Sequence, residues 1–97
     1  MANRERLTDQ AIEVFLGAHR GWALREGALS RTFAFKDYGG ALGFAVRVGL
    51  AAEKRDHHPE LLIAWGKARV EWTTHDRGGL TALDTEMAAH TDELYGA

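Results

Sequence analysis

The segment from Asp37 to about Arg55 constrains this chain most, because its apolar residues follow helical spacing for about five turns. At about 100° per residue, the apolar residues fall on two adjacent stripes. The first stripe holds Ala41, Phe44, Ala45, Val48, Ala51 and Ala52, and the second holds Leu42, Val46 and Leu50. Together they cover roughly 260°, more than one core-facing side needs. Two interpretations follow: a central helix buried on most sides, or a helix whose second stripe packs on another subunit, which we favour in so small a domain.

Two pairs of strands flank this helix. Period-two alternation, one fully apolar run and glycine turns predict strands at Trp22–Glu26, Leu29–Lys36, Leu61–Trp65 and Lys67–His75, of which Leu61–Trp65 is the apolar run. Gly27 and Gly66 stand at the two turns. Arg31 interrupts the apolar face of the second strand, so we expect that end of the strand to lie near a sheet edge.

Capping residues predict two further helices. Thr8 can cap a helix that begins at Asp9, and Thr81 can cap the last helix with Asp84 three residues later, as in a capping box. The order is therefore α-β-β-α-β-β-α, and its short connections favour antiparallel hairpins with the helices on one face of the sheet. We predict an α+β fold with a four-stranded antiparallel sheet and three helices on one face, built as a single domain over residues 1–97.

Composition excludes several classes of protein. The 97 residues include no cysteine, which excludes disulfides, cysteine-ligated zinc and thiol chemistry. A net charge of −2 argues against a dedicated nucleic-acid binder, which is usually basic. The apolar runs are too short to span a bilayer, and the first residues lack the apolar core of a signal peptide. We expect a cytoplasmic protein with no membrane or nucleic-acid partner.

Three of the five histidines lie where predicted elements end, and loop mouths are where sites usually form. His57 and His58 follow the long helix, and His75 ends the fourth strand. Histidine can give and take a proton near neutral pH, which suits acid–base catalysis. Asp56, Asp76 and Asp84 are near these histidines in sequence and could orient an imidazole. For Asp84, helix capping is the simpler role, and the two roles can coexist.

Other chemistries have weaker support. Three histidines and an aspartate superficially resemble a zinc shell. However, Pro59 favours extended backbone at His58, where neighbouring side chains point to opposite sides, so we expect no metal. Gly78-Gly79 before a helix is a weak phosphate-loop signal, and a simple turn is favoured. The lone serine lies in a predicted strand, outside any nucleophile motif. We expect Trp72 in the core and leave Trp65 open between core and pocket wall.

One spaced pattern joins these residues: Glu53-x3-His57-His58-Pro59-x5-Trp65-x9-His75-x8-Asp84. It resembles the signature of the pterin-4a-carbinolamine dehydratases, as does the stretch Thr74-His75-Asp76-Arg77-Gly78-Gly79-Leu80-Thr81. The resemblance implies dehydration of 4a-hydroxytetrahydropterin to quinonoid dihydropterin, which recycles the pterin cofactor of aromatic amino acid hydroxylases. It also implies no metal or organic cofactor, and a homodimer or homotetramer.

The resemblance also assigns roles to residues. It implies that His57 and His75 form the acid–base pair, that Asp84 supports the site, and that His58 mainly contacts the pterin. Trp65 and Glu53 are further expected substrate contacts. Trp65 stands where an aromatic residue, often tyrosine, is usual, and Trp72 replaces an aliphatic residue.

A non-catalytic role is the alternative. Proteins similar to this family serve as dimerisation cofactors of a transcription factor or as Rubisco assembly factors, and a pterin-related role in molybdenum-cofactor metabolism is a third interpretation. Three histidines at these spacings favour the enzyme, because loss of water from a carbinolamine needs one acid for the leaving oxygen and one base for a ring N–H.

Overall fold

Helices and strands follow each other in the predicted order in a computed structural model, which describes residues 5–96. The elements are α1 Asp9–Ala18, β1 Ala23–Arg25, β2 Ala28–Ala34, α2 Tyr38–Arg55, β3 Glu60–Ala64, β4 Lys67–Trp72 and α3 Ala82–Gly96. A short 3-10 helix, His75–Arg77, lies between β4 and α3. The predicted α+β class is confirmed. Among the helices of residues 5–96, none has both the length and the apolar character needed to cross a bilayer.

The strands of residues 5–96 form one four-stranded sheet in which every pair is antiparallel, and the strand order is β1-β2-β4-β3. β2 is therefore an inner strand, but β1 pairs with it only as far as Ser30, so the half that begins at Arg31 has no paired strand from residues 5–96 on that side. This explains how Arg31 can interrupt the apolar face. Its guanidinium lies 4.5 Å from the Phe33 ring centroid, and its Nη1 lies 2.7 Å from Asp92 Oδ1.

Local capping signals fix the ends of α2. The Asp37 side chain accepts a hydrogen bond from the Gly40 amide at 2.7 Å, as an N-cap does. At the other end, Asp56 adopts a left-handed conformation with φ of 50°, and its amide bonds back to the last turn. The chain therefore leaves the helix abruptly and passes directly into His57 and His58.

The helices and one face of the sheet enclose the hydrophobic core. Its fully buried large side chains include Leu29, Phe33, Phe44, Val48, Val70, Trp72 and Met87. Trp72 is wholly buried, and its Nε1 donates to Thr91 Oγ1 at 3.1 Å, which gives its one polar atom a partner. The prediction that Trp72 belongs to the core is confirmed.

All strand ends but the start of β4 differ from the predicted ones by one to three residues, and two of these differences bear on the site. β4 ends at Trp72 and not at His75, because its neighbours end there: Leu29 of β2 pairs with Trp72, and Glu60 of β3 pairs with Glu71. Beyond that point neither β2 nor β3 continues beside β4. Trp65 is not in β3, because the pairing of Ala64 with Lys67 leaves it in a two-residue turn.

The two stripes of α2 have different environments. Five of the six residues of the first stripe are buried in the core, whereas Leu42, Val46 and Leu50 are 43%, 52% and 63% exposed. The interpretation of α2 as a helix buried on most sides within the chain is therefore wrong. The alternative, that the second stripe packs on another subunit, stays a prediction.

Candidate active site

His57 is held inside the protein by a carboxylate and an aromatic ring. Its Nε2 lies 2.6 Å from Asp84 Oδ1, and its ring stacks on Trp72 with centroids 5.7 Å apart and planes inclined by 17°. The residue is only 8% exposed. The left-handed turn at Asp56 and the packing on Trp72 thus fix the imidazole at the end of β4.

Asp84 is wholly buried and joins several groups. Its Oδ2 accepts hydrogen bonds from the Thr74 hydroxyl at 2.6 Å and from the Thr81 amide at 2.9 Å. Because the Thr74 hydrogen points to Asp84, the Thr81 hydroxyl donates to Thr74 Oγ1, 3.0 Å away. The bond from the Thr81 amide is one half of the predicted capping box; the other half is not formed, because the Asp84 amide donates to the Thr81 carbonyl oxygen and the Thr81 hydroxyl binds Thr74. Asp84 therefore caps α3 with one oxygen and holds His57 with the other.

This arrangement selects a tautomer of His57. The Asp84 carboxylate accepts hydrogens, so Nε2 of His57 donates and Nδ1 of the neutral ring is the acceptor. Nδ1 receives no hydrogen bond from residues 5–96. Within the same range, every side-chain nitrogen or oxygen that is fully buried from solvent has a hydrogen-bond partner, so Nδ1 is not one of the fully buried atoms. Nδ1 therefore retains contact with solvent and can receive a proton.

The adjacent His58 points elsewhere. Its Nε2 lies 2.7 Å from Glu53 Oε1, and the side chains of His58 and Glu53 are 56% and 76% exposed. The neighbouring imidazoles thus bind different carboxylates, one buried and one at the surface, as the extended backbone before Pro59 predicts. In the part of the chain that the structure describes, no three His, Cys, Asp or Glu side chains are grouped as metal ligands.

A cavity of about 230 Å³ lies beside these histidines on the sheet face away from the helices. It forms where the β1–β2 turn, the start of β3 and the end of β4 meet. Its lining residues are Arg25, Glu26, Ala28, His58, Glu60, Glu71, Thr73 and His75. The structure thus brings His58 and His75 to one cavity, with Glu53 touching His58 at its rim. His57 contacts Trp72, between the lining residues Glu71 and Thr73, and lies on the helix side of this strand end.

Glu71 is a site residue that the sequence analysis missed. Its Oε2 accepts from Ser30 Oγ at 2.8 Å and lies 3.2 Å from Arg25 Nη1 and 3.4 Å from Arg69 Nε. Alternation along β4 predicts that Glu71 faces away from the core, which by itself indicates only a solvated side chain. Only the pairing register of the strands could have indicated this role, because Glu71 is paired with Ser30 of β2 on one side and with Glu60 of β3 on the other.

Trp65 does not join this site. It is 74% exposed in the β3–β4 turn. The cavity lies at the other end of the same hairpin, near the pair Glu60–Glu71, four residues along the strands from the pair Ala64–Lys67 and about 13 Å away. A core position for Trp65 is therefore wrong, and Trp65 does not line this cavity; its contact with a substrate stays a prediction.

The sequence pattern described as Pterin 4 alpha carbinolamine dehydratase matches residues 5–94. This chain belongs to that family. A relative from Bradyrhizobium sp. (strain ORS 278), named as a pterin-4-alpha-carbinolamine dehydratase, is 46% identical over 95 residues, covering 96% of this chain and 95% of its own. A relative with the same name from Sulfurisphaera tokodaii is 39% identical over 90 residues, covering 93% of this chain and 97% of its own.

Solved structures place the dehydratase family on the same fold. A Brucella melitensis protein titled a transcriptional coactivator/pterin dehydratase superposes with a TM-score of 0.88 at 38% identity, covering 95% of this chain and all of its own. A pterin dehydratase-like protein identified as a RuBisCO assembly factor in the alpha-carboxysome superposes with a TM-score of 0.66 over 81% of this chain and 94% of its own. The second is 21% identical and shows the shared fold alone.

Proposed function

We propose that this member of the dehydratase family converts a 4a-hydroxytetrahydropterin to quinonoid dihydropterin and water. In the cell this would regenerate the pterin cofactor of aromatic amino acid hydroxylases. The observation that carries the proposal is the His57 imidazole, anchored by buried Asp84 at the same strand end whose outer side forms a cavity with His75.

The reaction needs one proton delivered and one removed. The carbon–oxygen bond at C4a breaks, the departing hydroxyl takes a proton and leaves as water, and a ring N–H gives its proton to a base while its electrons form the new C=N bond. Two groups that can change protonation near neutral pH are enough for both transfers.

The contacts of each histidine support a division of roles. We propose His57 as the base, because Nδ1 is its accepting nitrogen and Asp84 can stabilise the imidazolium that forms, as the aspartate of a Ser-His-Asp triad does. His75 is then the acid that protonates the leaving oxygen. His58 is bound to Glu53 and mostly exposed, which suits a substrate contact better than a fixed proton donor.

The cavity suits the size of the proposed substrate. At about 230 Å³ it is smaller than the roughly 300–1,000 Å³ of typical ligand pockets. It therefore suits a flat two-ring system whose side chain remains in solvent. Its polar lining offers both donors and acceptors to the edges of such a ring.

A stopped-flow assay of carbinolamine dehydration, with and without the purified protein, tests the proposal. We expect acceleration above the spontaneous rate that is proportional to the protein concentration. Rates equal to the spontaneous reaction at all concentrations would contradict catalysis.

A non-catalytic assembly role is the second candidate, and the exposed stripe of α2 is the observation that favours it. Leu42, Val46 and Leu50 are all more than 40% exposed, which suits a surface that packs on another chain. We propose that another copy of this chain is the first partner to pack on this stripe, in a homodimer or homotetramer. Protein that binds a partner through it but leaves the dehydration rate unchanged would favour the second candidate.

A further inference from the structure

Glu71 combines a fixed position, an open oxygen and a place in the cavity. Ser30 and Arg25 donate hydrogen bonds to its Oε2, Arg69 forms an ion pair with the same oxygen, and its side chain is only 13% exposed. No residue between positions 5 and 96 donates a hydrogen bond to its other oxygen, Oε1. Because one oxygen is held and the other is open, this carboxylate is preorganised to accept hydrogen bonds from a ligand.

Glu71 also lines the same cavity as His58 and His75. A ligand that reaches His75 with one edge can therefore present another edge to Glu71. The cavity also contains Glu60, but no hydrogen bond or ion pair from residues 5–96 holds that carboxylate, and it is exposed on the edge strand β3. The two carboxylates are opposite each other in the register and differ in how firmly they are held.

The pyrimidine ring of a pterin carries a matching edge. Its N3–H and 2-amino groups are two adjacent, parallel donors, and a single carboxylate oxygen such as the open Oε1 can accept from both at once. Charge-assisted, paired hydrogen bonds of this kind are stronger and more selective than neutral ones. A ring in which a 2-oxo group replaces the 2-amino group presents an acceptor there, which repels a carboxylate.

We propose that Glu71 recognises the N3–H and 2-amino edge of the substrate and so selects 2-aminopterins over 2-oxo analogues. This inference rests on the proposed function, because it assumes that the ligand of the cavity is a pterin. Ser30, Arg25 and Arg69 are positioning residues that hold the carboxylate in place.

Ligand binding tests the proposal without requiring turnover. The probes are 6-methylpterin and 6-methyllumazine, which differ in the 2-amino and 2-oxo groups, titrated by fluorescence. We expect the unaltered protein to prefer the pterin by at least about 10-fold. Glu71→Gln should weaken pterin binding by about 10- to 100-fold and strengthen lumazine binding. The groups around Oε2 require an acceptor there, so the amide nitrogen takes the open position, where it can only donate and therefore suits the 2-oxo group.

Two further variants separate recognition from simple loss of structure. Glu71→Asp keeps the charge and should keep the preference for pterin, whereas Glu60→Gln removes a charge from the same cavity and should leave the preference within about two-fold. Circular dichroism and thermal unfolding establish that each variant is folded.

The outcomes separate a failure of the proposed role of Glu71 from a failure of the proposed function. If the protein accelerates dehydration but Glu71→Gln keeps the original preference, or Glu60→Gln is the variant that reverses it, the role of Glu71 is wrong and the proposed function stands. If the unaltered protein neither binds 6-methylpterin nor accelerates dehydration, both are wrong.

Discussion

The Nε2 atom of His57 lies 2.6 Å from the Oδ1 atom of Asp84, although 27 residues separate them in the chain. The Thr74 hydroxyl and the Thr81 amide bind the other oxygen of the same carboxylate. Asp84 thus connects the end of α2, the end of β4 and the start of α3 at one buried point.

Removal of Asp84 should destabilise the fold. Asp84→Ala leaves three buried donors without an acceptor, so we expect the free energy of unfolding to fall by about 2–5 kcal/mol. Urea denaturation measures the change. Asp37→Ala, which removes the exposed cap of α2, is the matched control and should cost about 1 kcal/mol. Equal losses for the two variants would contradict the central role of Asp84.

Removal of either proposed proton-transfer group should lower kcat. We expect His57→Ala and His75→Ala each to reduce kcat by roughly 10²- to 10⁴-fold. The double variant should lose less than the product of the single losses, because the two act as a unit. His90→Ala, at an exposed position in α3, is the control and should keep full activity. The spontaneous rate is subtracted in every assay.

The pH dependence of the two variants should differ. A base must be unprotonated, so His57→Ala should lose the limb of the kcat/KM profile that falls toward acid pH. An acid must be protonated, so His75→Ala should lose the limb that falls toward alkaline pH. Loss of the opposite limbs would reverse the two roles, and near-normal kcat in both variants would show that these histidines do not transfer the protons.

His58 should affect binding more than chemistry. Its exposed ring lines the cavity and contacts Glu53, so His58→Ala should raise KM by a larger factor than it lowers kcat. Steady-state kinetics over a range of pterin concentrations separates the two effects. A collapse of kcat with little change in KM would instead make His58 and His75, which share the cavity, the acid–base pair.

Chelation should leave the activity unchanged. The neighbouring imidazoles of His57 and His58 bind different carboxylates, so they do not face a common ion. Dehydration rates are measured after prolonged dialysis against EDTA, and separately after addition of zinc. Activity that disappears on dialysis and returns with zinc would require a metal.

The second stripe of α2 should hold subunits together. Val46→Glu places a charge in the proposed interface, where an unpaired charge is poorly tolerated, and should yield monomers in light scattering coupled to size-exclusion chromatography. Val14→Glu on α1 makes the same change at a residue that is 67% exposed and should leave the assembly intact. Monomeric protein before any substitution would contradict the interface.

Local chemistry explains why the sequence predicts α2 and its cap so closely. Asp37 caps the amide three residues later, so the start of the helix is readable from four consecutive residues. The bond from the Thr81 amide to the Asp84 side chain, one half of the predicted capping box, is equally local. By contrast, the alternation of β4 continues past Trp72, and only the ends of β2 and β3 decide where the pairing stops.

The candidate site depends more on distant contacts. The pattern around His57 and His75 predicts histidine chemistry, but the separation of His57 from the cavity follows from its packing on Trp72. The position of Glu71 in the cavity depends on the register between β2 and β4, because that register places Ser30 opposite Glu71, where its hydroxyl binds the carboxylate. Trp65 lies in a turn far from the histidines because β3 ends one residue earlier than its apolar run.

Because Asp84 caps α3 and anchors His57 at once, fraying of the first turn of that helix releases the imidazole in the same motion. Helix ends open far more often than whole domains unfold. Among residues 5–96, the Thr81 amide has Asp84 as its only acceptor. Its rate of hydrogen exchange in the ligand-free protein therefore reports how often the bond between Asp84 and His57 is broken. A pterin that favours the anchored state should slow this exchange while leaving the amides of α1 unchanged.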